Sequence, residues 1–283
     1  MIAFAKRTMK LYFRDKASVF FSLFAVLIIV GMYVLFLGDV WTQNSEFENP
    51  KVVMDTWIMS GLLAVVTLTT TMGAFGIMVE DRHKKISKDF YSSPIKRSGL
   101  AAGYISGAFM IGVIMSFITF ILVQIYLMSK GAAFPDAMIM LKAFGLILLS
   151  TFTNTAMLFF IVSFLKSQNA FGTASSIIGT LVGFLTGIYM PVGILPEAVQ
   201  VVIKVFPASH AATLFRQILM EPVMQSAFQN APEGAKEEFA EQMGVTLTWA
   251  GNPIPSYVSI IILFATAFLF YGLSVMSISR KSR

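Results

Sequence analysis

The chain has no cysteine and only two histidines in 283 residues. Disulfides, thiolate nucleophiles and thiolate metal sites are therefore excluded. His83 and His210 are expected on opposite sides of a membrane, so one metal ion cannot bind both. Charge is scarce as well: 13% of residues are charged, against about 25% in an ordinary soluble domain. Several charge-free runs reach the ~20 residues that cross a bilayer. No Asp, Glu, Lys, Arg or His stands in the core of such a run, and proton and ion relays normally need these groups. No glycine-rich loop ends in Gly-Lys-Ser or Gly-Lys-Thr, so a nucleotide site of that type is missing. No nucleophile–base constellation is visible.

What is abundant is apolar: 56% of residues, with a mean hydropathy of +0.75. The expectation is an all-α integral membrane protein forming one transmembrane domain over 1–283. Six spans are expected, at about 18–38, 57–79, 100–129, 143–165, 171–195 and 254–278. The run after residue 17 is too long for a signal-peptide core and no small-residue cleavage site follows it. Residues 1–17 interleave Lys6, Arg7, Lys10, Arg14 and Lys16 with Ile2, Phe4, Met9, Leu11, Tyr12 and Phe13. That pattern predicts an amphipathic helix lying in the membrane interface.

Basic residues concentrate on the cytoplasmic side of membrane proteins. With both termini inside, the inner segments hold 15 of the 21 basic residues and four of the 15 acids. The net charge of +6 thus reflects topology and lipid contact rather than nucleic-acid binding.

The richest inner segment is 80–99. It carries six basic and three acidic residues, with Phe90, Tyr91 and Pro94 among them. Ile86, Phe90 and Ile95 can share one face of a short surface helix that Pro94 stops. Such a helix can be a positive-inside loop or a docking element for a soluble partner. Thr67, Thr69, Thr70 and Thr71 are expected to bond the preceding turn. Asn154 is expected to bond a neighbouring helix, and Trp57 to anchor the outer interface. Gly179, Gly183 and Gly187 recur every fourth residue and would let another helix approach, within this chain or from a second copy. Pro191 should break the fifth span. Residues 196–255 read as two short apolar helices, about 196–206 and 208–220, followed by an acidic one ending at Gly244. Arg216 is expected near headgroups at the end of the second. Too short to cross, the pair would be re-entrant on the outer side.

In three places the chain resembles the permease subunit of type-2 ABC exporters, the group of drug-resistance, sodium-efflux and polysaccharide-export permeases. The 80–99 segment carries Glu80-Asp81-Arg82, Ser93-Pro94, Lys96-Arg97 and then Gly103. The first span is entered through Arg14-Asp15. After the fifth span come Pro191, Leu195-Pro196, Phe206-Pro207 and Arg216. Three positions depart from the pattern: Lys85-Ile86, Lys88 and Lys16. The resemblance implies two permeases, alike or homologous, bound to two copies of a separate ATPase that carries ATP and magnesium. The permease itself would be no enzyme and bind no cofactor, and would sit in a bacterial or archaeal plasma membrane. It implies an ATPase-coupling role for Glu80, Asp81, Lys84, Lys85, Lys88, Phe90, Tyr91 and Pro94. An interfacial helix would end at Arg14-Asp15, a dimer or cavity face would carry Gly179, Gly183 and Gly187, and an outer gate would involve Pro191, Pro196, Pro207 and Arg216. The apolar spans, rich in Met and Phe, favour a hydrophobic or amphipathic substrate leaving the cell by alternating access. A secondary transporter and a non-transporting scaffold or immunity-type protein are the alternatives.

Overall fold

The computed structural model describes residues 2–33, 47–91 and 97–280. The first helix, α1 (Ile2–Arg14), is followed after Asp15 by α2 (Lys16–Met32). Asp15 stands at the junction: its carboxylate accepts from the Ala17 and Ser18 backbone N–H groups and from the Ser18 hydroxyl. This is N-cap chemistry at the start of α2. The Tyr12 hydroxyl, donating to Ser22 at 3.0 Å, ties the two helices together.

The centre of the molecule is α3 (Pro50–His83). Every residue from Val53 to Leu68 is buried, as a helix apolar all round requires. Around it pack α5 (Arg97–Ser129), α6 (Ala137–Phe164), α7 (Gln168–Leu185) and α9 (Pro207–Ala227). A short α4 (Ile86–Tyr91) precedes α5, and α11 (Ser256–Arg280) covers α6 and α9. Between α7 and α11 lie α8 (Glu197–Val205), α10 (Ala235–Gln242) and a two-stranded hairpin, β1 (Thr248–Trp249) with β2 (Asn252–Pro253).

The threonines in the middle of α3 are satisfied locally. Thr69, Thr70 and Thr71 donate to carbonyls one turn back, and Thr67 does so at three residues' distance. Asn154 of α6 donates to Thr67 at 3.0 Å, tying α6 to α3 as its mid-span position implied.

Among the described residues, α3, α5, α6 and α11 are each long and apolar enough to cross a membrane. The pair α8–α9, bent by 86°, makes a fifth if it is one broken span. The molecule is thus an all-α membrane protein with four to five such helices.

Several boundaries differ from the expected ones. α7 stops at Leu185, because Gly187 with φ +69° reverses the chain before Pro191 is reached. Pro191 instead starts a single 3-10 turn, Val192–Ile194. α9 extends past the expected end at residue 220: it runs through Pro222 to Ala227, since packing against α3, α6 and α11 outweighs the cost of an interior proline. Trp57 is no interfacial anchor but 2% exposed, its indole N–H donating to the Met243 carbonyl at 2.6 Å. Trp249 and Tyr257 are exposed instead.

Candidate coupling site

At the end of the bundle where α1 lies, four elements meet in one knot. α1 crosses the start of α5 so closely that a Cβ at Gly103 would strike the Phe4 ring, and one at Gly107 would strike Thr8. Two small residues a turn apart are what permits that approach. Phe4 stands edge-on to Phe90 of α4 and to Tyr104 of α5, with centroids 5.1 and 4.8 Å away. One turn on, the Arg7 guanidinium makes a two-pronged bond to Asp81, at 2.7 and 2.9 Å. The Tyr104 hydroxyl donates to the same carboxylate at 2.6 Å. Arg7 also lies 5.2 Å from the Phe90 ring and 5.4 Å from Phe4. The hydrogen bond and charge of Asp81 raise the Arg7 pKa, so the guanidinium keeps its charge at any physiological pH.

The expected coupling residues therefore divide. Asp81 is 3% exposed and faces α1 and α5, not an outside partner. Phe90 packs on Phe4, again within the chain. Arg82 reaches the last carbonyls of α6, Val162 and Leu165, at 3.3 and 3.4 Å. Glu80, Lys84 and Lys85 are exposed, with Glu80 and Lys84 paired a turn apart. Pro94 and the side chains of Lys88 and Tyr91 lie outside the described residues. Arg14 is exposed at the junction that Asp15 caps. Sequence reasoning left Phe4, Arg7 and Tyr104 without roles. Their only signal was the three-residue spacing of an aromatic and an arginine on the buried side of an amphipathic helix.

At the opposite end a second cluster surrounds Arg216. It was expected near headgroups; it is 1% exposed, in the middle of α9. Its guanidinium stacks 4.7 Å from the Trp57 ring and donates to the Gly187 carbonyl at 3.3 Å, with Gly244 at 3.5 Å. Its Nε–H has no partner among the described residues. The three outer prolines serve as starts: Pro191 for the 3-10 turn, Pro196 for α8 and Pro207 for α9. The glycine triplet does not form one helical face. Gly187 lies past the helix end, and Gly183 is covered by the Tyr189 ring of the same chain. Gly179 alone of the three has open space beside it. Among the described residues no three His, Asp or Glu side chains come together as metal ligands.

Comparison with known families decides the class. The family model described as ABC-2 type transporter matches residues 1–220. The chain belongs to the ABC-2 type transporter family. The match covers the knot, the central helix and most of the outer hairpin. No curated protein sequence matches the chain. An ABC-2 domain is a membrane-spanning permease rather than a catalytic domain, and its family implies association with an ABC ATPase and with the bilayer.

Proposed function

We propose that this ABC-2 permease is the membrane half of an ATP-driven exporter for hydrophobic or amphipathic molecules. Two permeases, alike or homologous, work with two separate ATPase subunits, which hold the ATP and magnesium. The chain spans the bacterial or archaeal plasma membrane six times, with α2 and α7 completing the set and α8–α9 re-entrant on the outer side. Both termini face the cytoplasm, as the strong bias of basic residues toward that side supports. The observation that carries the reading is the knot of α1, α4 and α5. A short helix transmits force only if it is locked to what it moves, and α4 is locked through Phe90 to α1 and beside the Arg7–Asp81 pair.

ATPase contact then falls to the exposed charges beside the knot, Glu80, Lys84 and Lys85, with α4 pressed from outside. ATP-driven closure moves α4, and the knot passes the motion to α3 and α5. The outer hairpin pinned by Arg216 closes the exit. The deciding experiment reverses charge at Lys84 and Lys85 in the full chain and measures co-purification of the ATPase. A fall of about tenfold with unchanged membrane insertion is expected for two charge pairs at a docking interface. Unchanged ATPase association and unchanged transport would defeat the docking assignment.

A further inference from the structure

The far end of the bundle holds a cavity of about 510 Å³ that the export reading does not use. It lies where α3 begins, α5 ends, α6 begins and α9 ends. That volume is in the range of small-ligand sites. Its walls are apolar, with Val52, Leu127, Ile139, Leu219 and Val223. On its lining stands Gln124, whose amide Nε2 is buried with no hydrogen-bond partner among the described residues. An unmet buried donor is costly, so a site that leaves one open is suited to an acceptor from outside the chain.

The rim is bipolar. Lys130 and Asp136 both line the cavity and both are exposed. Asp136 begins α6 without using its side chain as a cap. Asp55, on the adjoining turn of α3, is held by the hydroxyls of Tyr33 and Tyr126 and lies in the field of Lys130 and Lys51. Among the residues that line the cavity, one lysine and one aspartate carry charge. A site of that kind favours a group carrying both charges over a net anion.

Large apolar side chains next to the lining residues are exposed. Ile125 and Met128 on α5 are 60% and 47% exposed, and Phe134 and Met138 beside the rim are 62% and 60% exposed. An occupant would arrive from the bilayer rather than from water.

We infer that this cavity binds a zwitterionic phospholipid. Its phosphate pairs with Lys130, its ammonium group approaches Asp136, an ester carbonyl accepts from Gln124, and one acyl chain lies along Leu127, Leu219 and Val223. The lipid braces α9 against the turn between α5 and α6.

The test uses the full-length chain in detergent, loaded with phosphatidylethanolamine or phosphatidylglycerol, washed, and weighed by native mass spectrometry. One phosphatidylethanolamine per chain is expected to survive the wash, in preference to phosphatidylglycerol. Lys130→Gln and Gln124→Leu should each lower its retention about tenfold, the usual worth of one charge-assisted or buried hydrogen bond. Lys130→Arg should retain it. Ser226→Trp, which fills the mouth from α9, should abolish it. Equal retention in Lys130→Gln, or preferential retention of the anionic lipid, overturns the proposal. Lys130 is exposed, so that variant decides the matter even if Ser226→Trp fails to fold.

Discussion

Glu80, Asp81 and Arg82 leave the end of α3 in three directions because successive helical residues turn by about 100°. Glu80 points out to Lys84, Asp81 in to Arg7 and Tyr104, and Arg82 across to the end of α6. The consequences of mutation differ accordingly. Removing Arg7 strands a buried carboxylate, and Arg7→Ala should cost about 3 kcal/mol. Glu80→Ala, which breaks only an exposed pair, should cost well under about 1 kcal/mol. Thermal unfolding of the two variants in detergent should separate them clearly. Asp15 carries a pH signature. Its bonds to the Ser18 hydroxyl, then to the Ser18 backbone, lower its pKa. The cap is therefore fully present above the ordinary carboxylate pKa and is lost as pH falls through the lowered value. Asp15→Asn should flatten the acid limb of the stability profile and leave neutral pH nearly unchanged. At Arg216, Lys keeps the charge but loses the flat stack on Trp57 and the fork to two carbonyls. Arg216→Lys should lower the melting temperature almost as far as Arg216→Met, and equal stability of Lys and Arg at this site would show that charge alone matters.

At the scale of elements, α4 depends on one ring. Phe90→Ala removes the contact that holds it to Phe4, worth about 2 kcal/mol or more at a packed site. The expected outcome is an intact bundle with a loosened α4: proteolysis between α3 and α5 should accelerate while the melting temperature of the core barely moves. The outer hairpin makes a sharper contrast. On α8, Val199, Val201, Val202 and Val205 are 38–66% exposed, whereas Thr213 and Phe215 on α9 are at most 2% exposed. His210 locks the elbow: Nε2 donates to the Lys204 carbonyl at 2.9 Å, and Nδ1 accepts from Ser259 of α11 at 3.0 Å. Single cysteines labelled from outside with an impermeant thiol reagent should therefore react along one face of α8 and stay protected from 211 to 216. Rapid labelling at all positions would mean that the elbow opens freely in solution.

For the whole molecule, α3 is the shared wall against which α5, α6, α7 and α9 pack, and its buried hydroxyls let α6 sit close through Asn154 and Thr67. The proposed second permease would have to use surfaces that this packing leaves open. Gly179 qualifies and Gly183 does not, because Tyr189 already fills the space beside it. Gly179→Cys is expected to cross-link between copies, while Gly183→Leu should expel the Tyr189 ring and destabilise the single chain. A Gly183→Leu protein with native melting behaviour but no dimer would return that residue to the interface.

Much of this protein could be read from sequence alone. Long charge-free runs can only be satisfied as membrane helices, since lipid supplies no hydrogen bonds. The class, the long helices α3, α5, α6 and α11, the basic amphipathic α1 and the threonine ladder all follow from local rules of that kind. The partners of Asp81, Phe90, Trp57 and Arg216 do not. Each is a polar or aromatic residue that local rules place near water or headgroups. Asp81, Trp57 and Arg216 are instead buried, and Phe90 half-buried, by contacts 23 to 186 residues away in the chain. Burial of that kind depends on which helices become neighbours, and only the tertiary structure decides that. It also set where α7 ends and how far α9 runs, because a positive φ at Gly187 and packing around Pro222 outweigh the proline signals read along the chain.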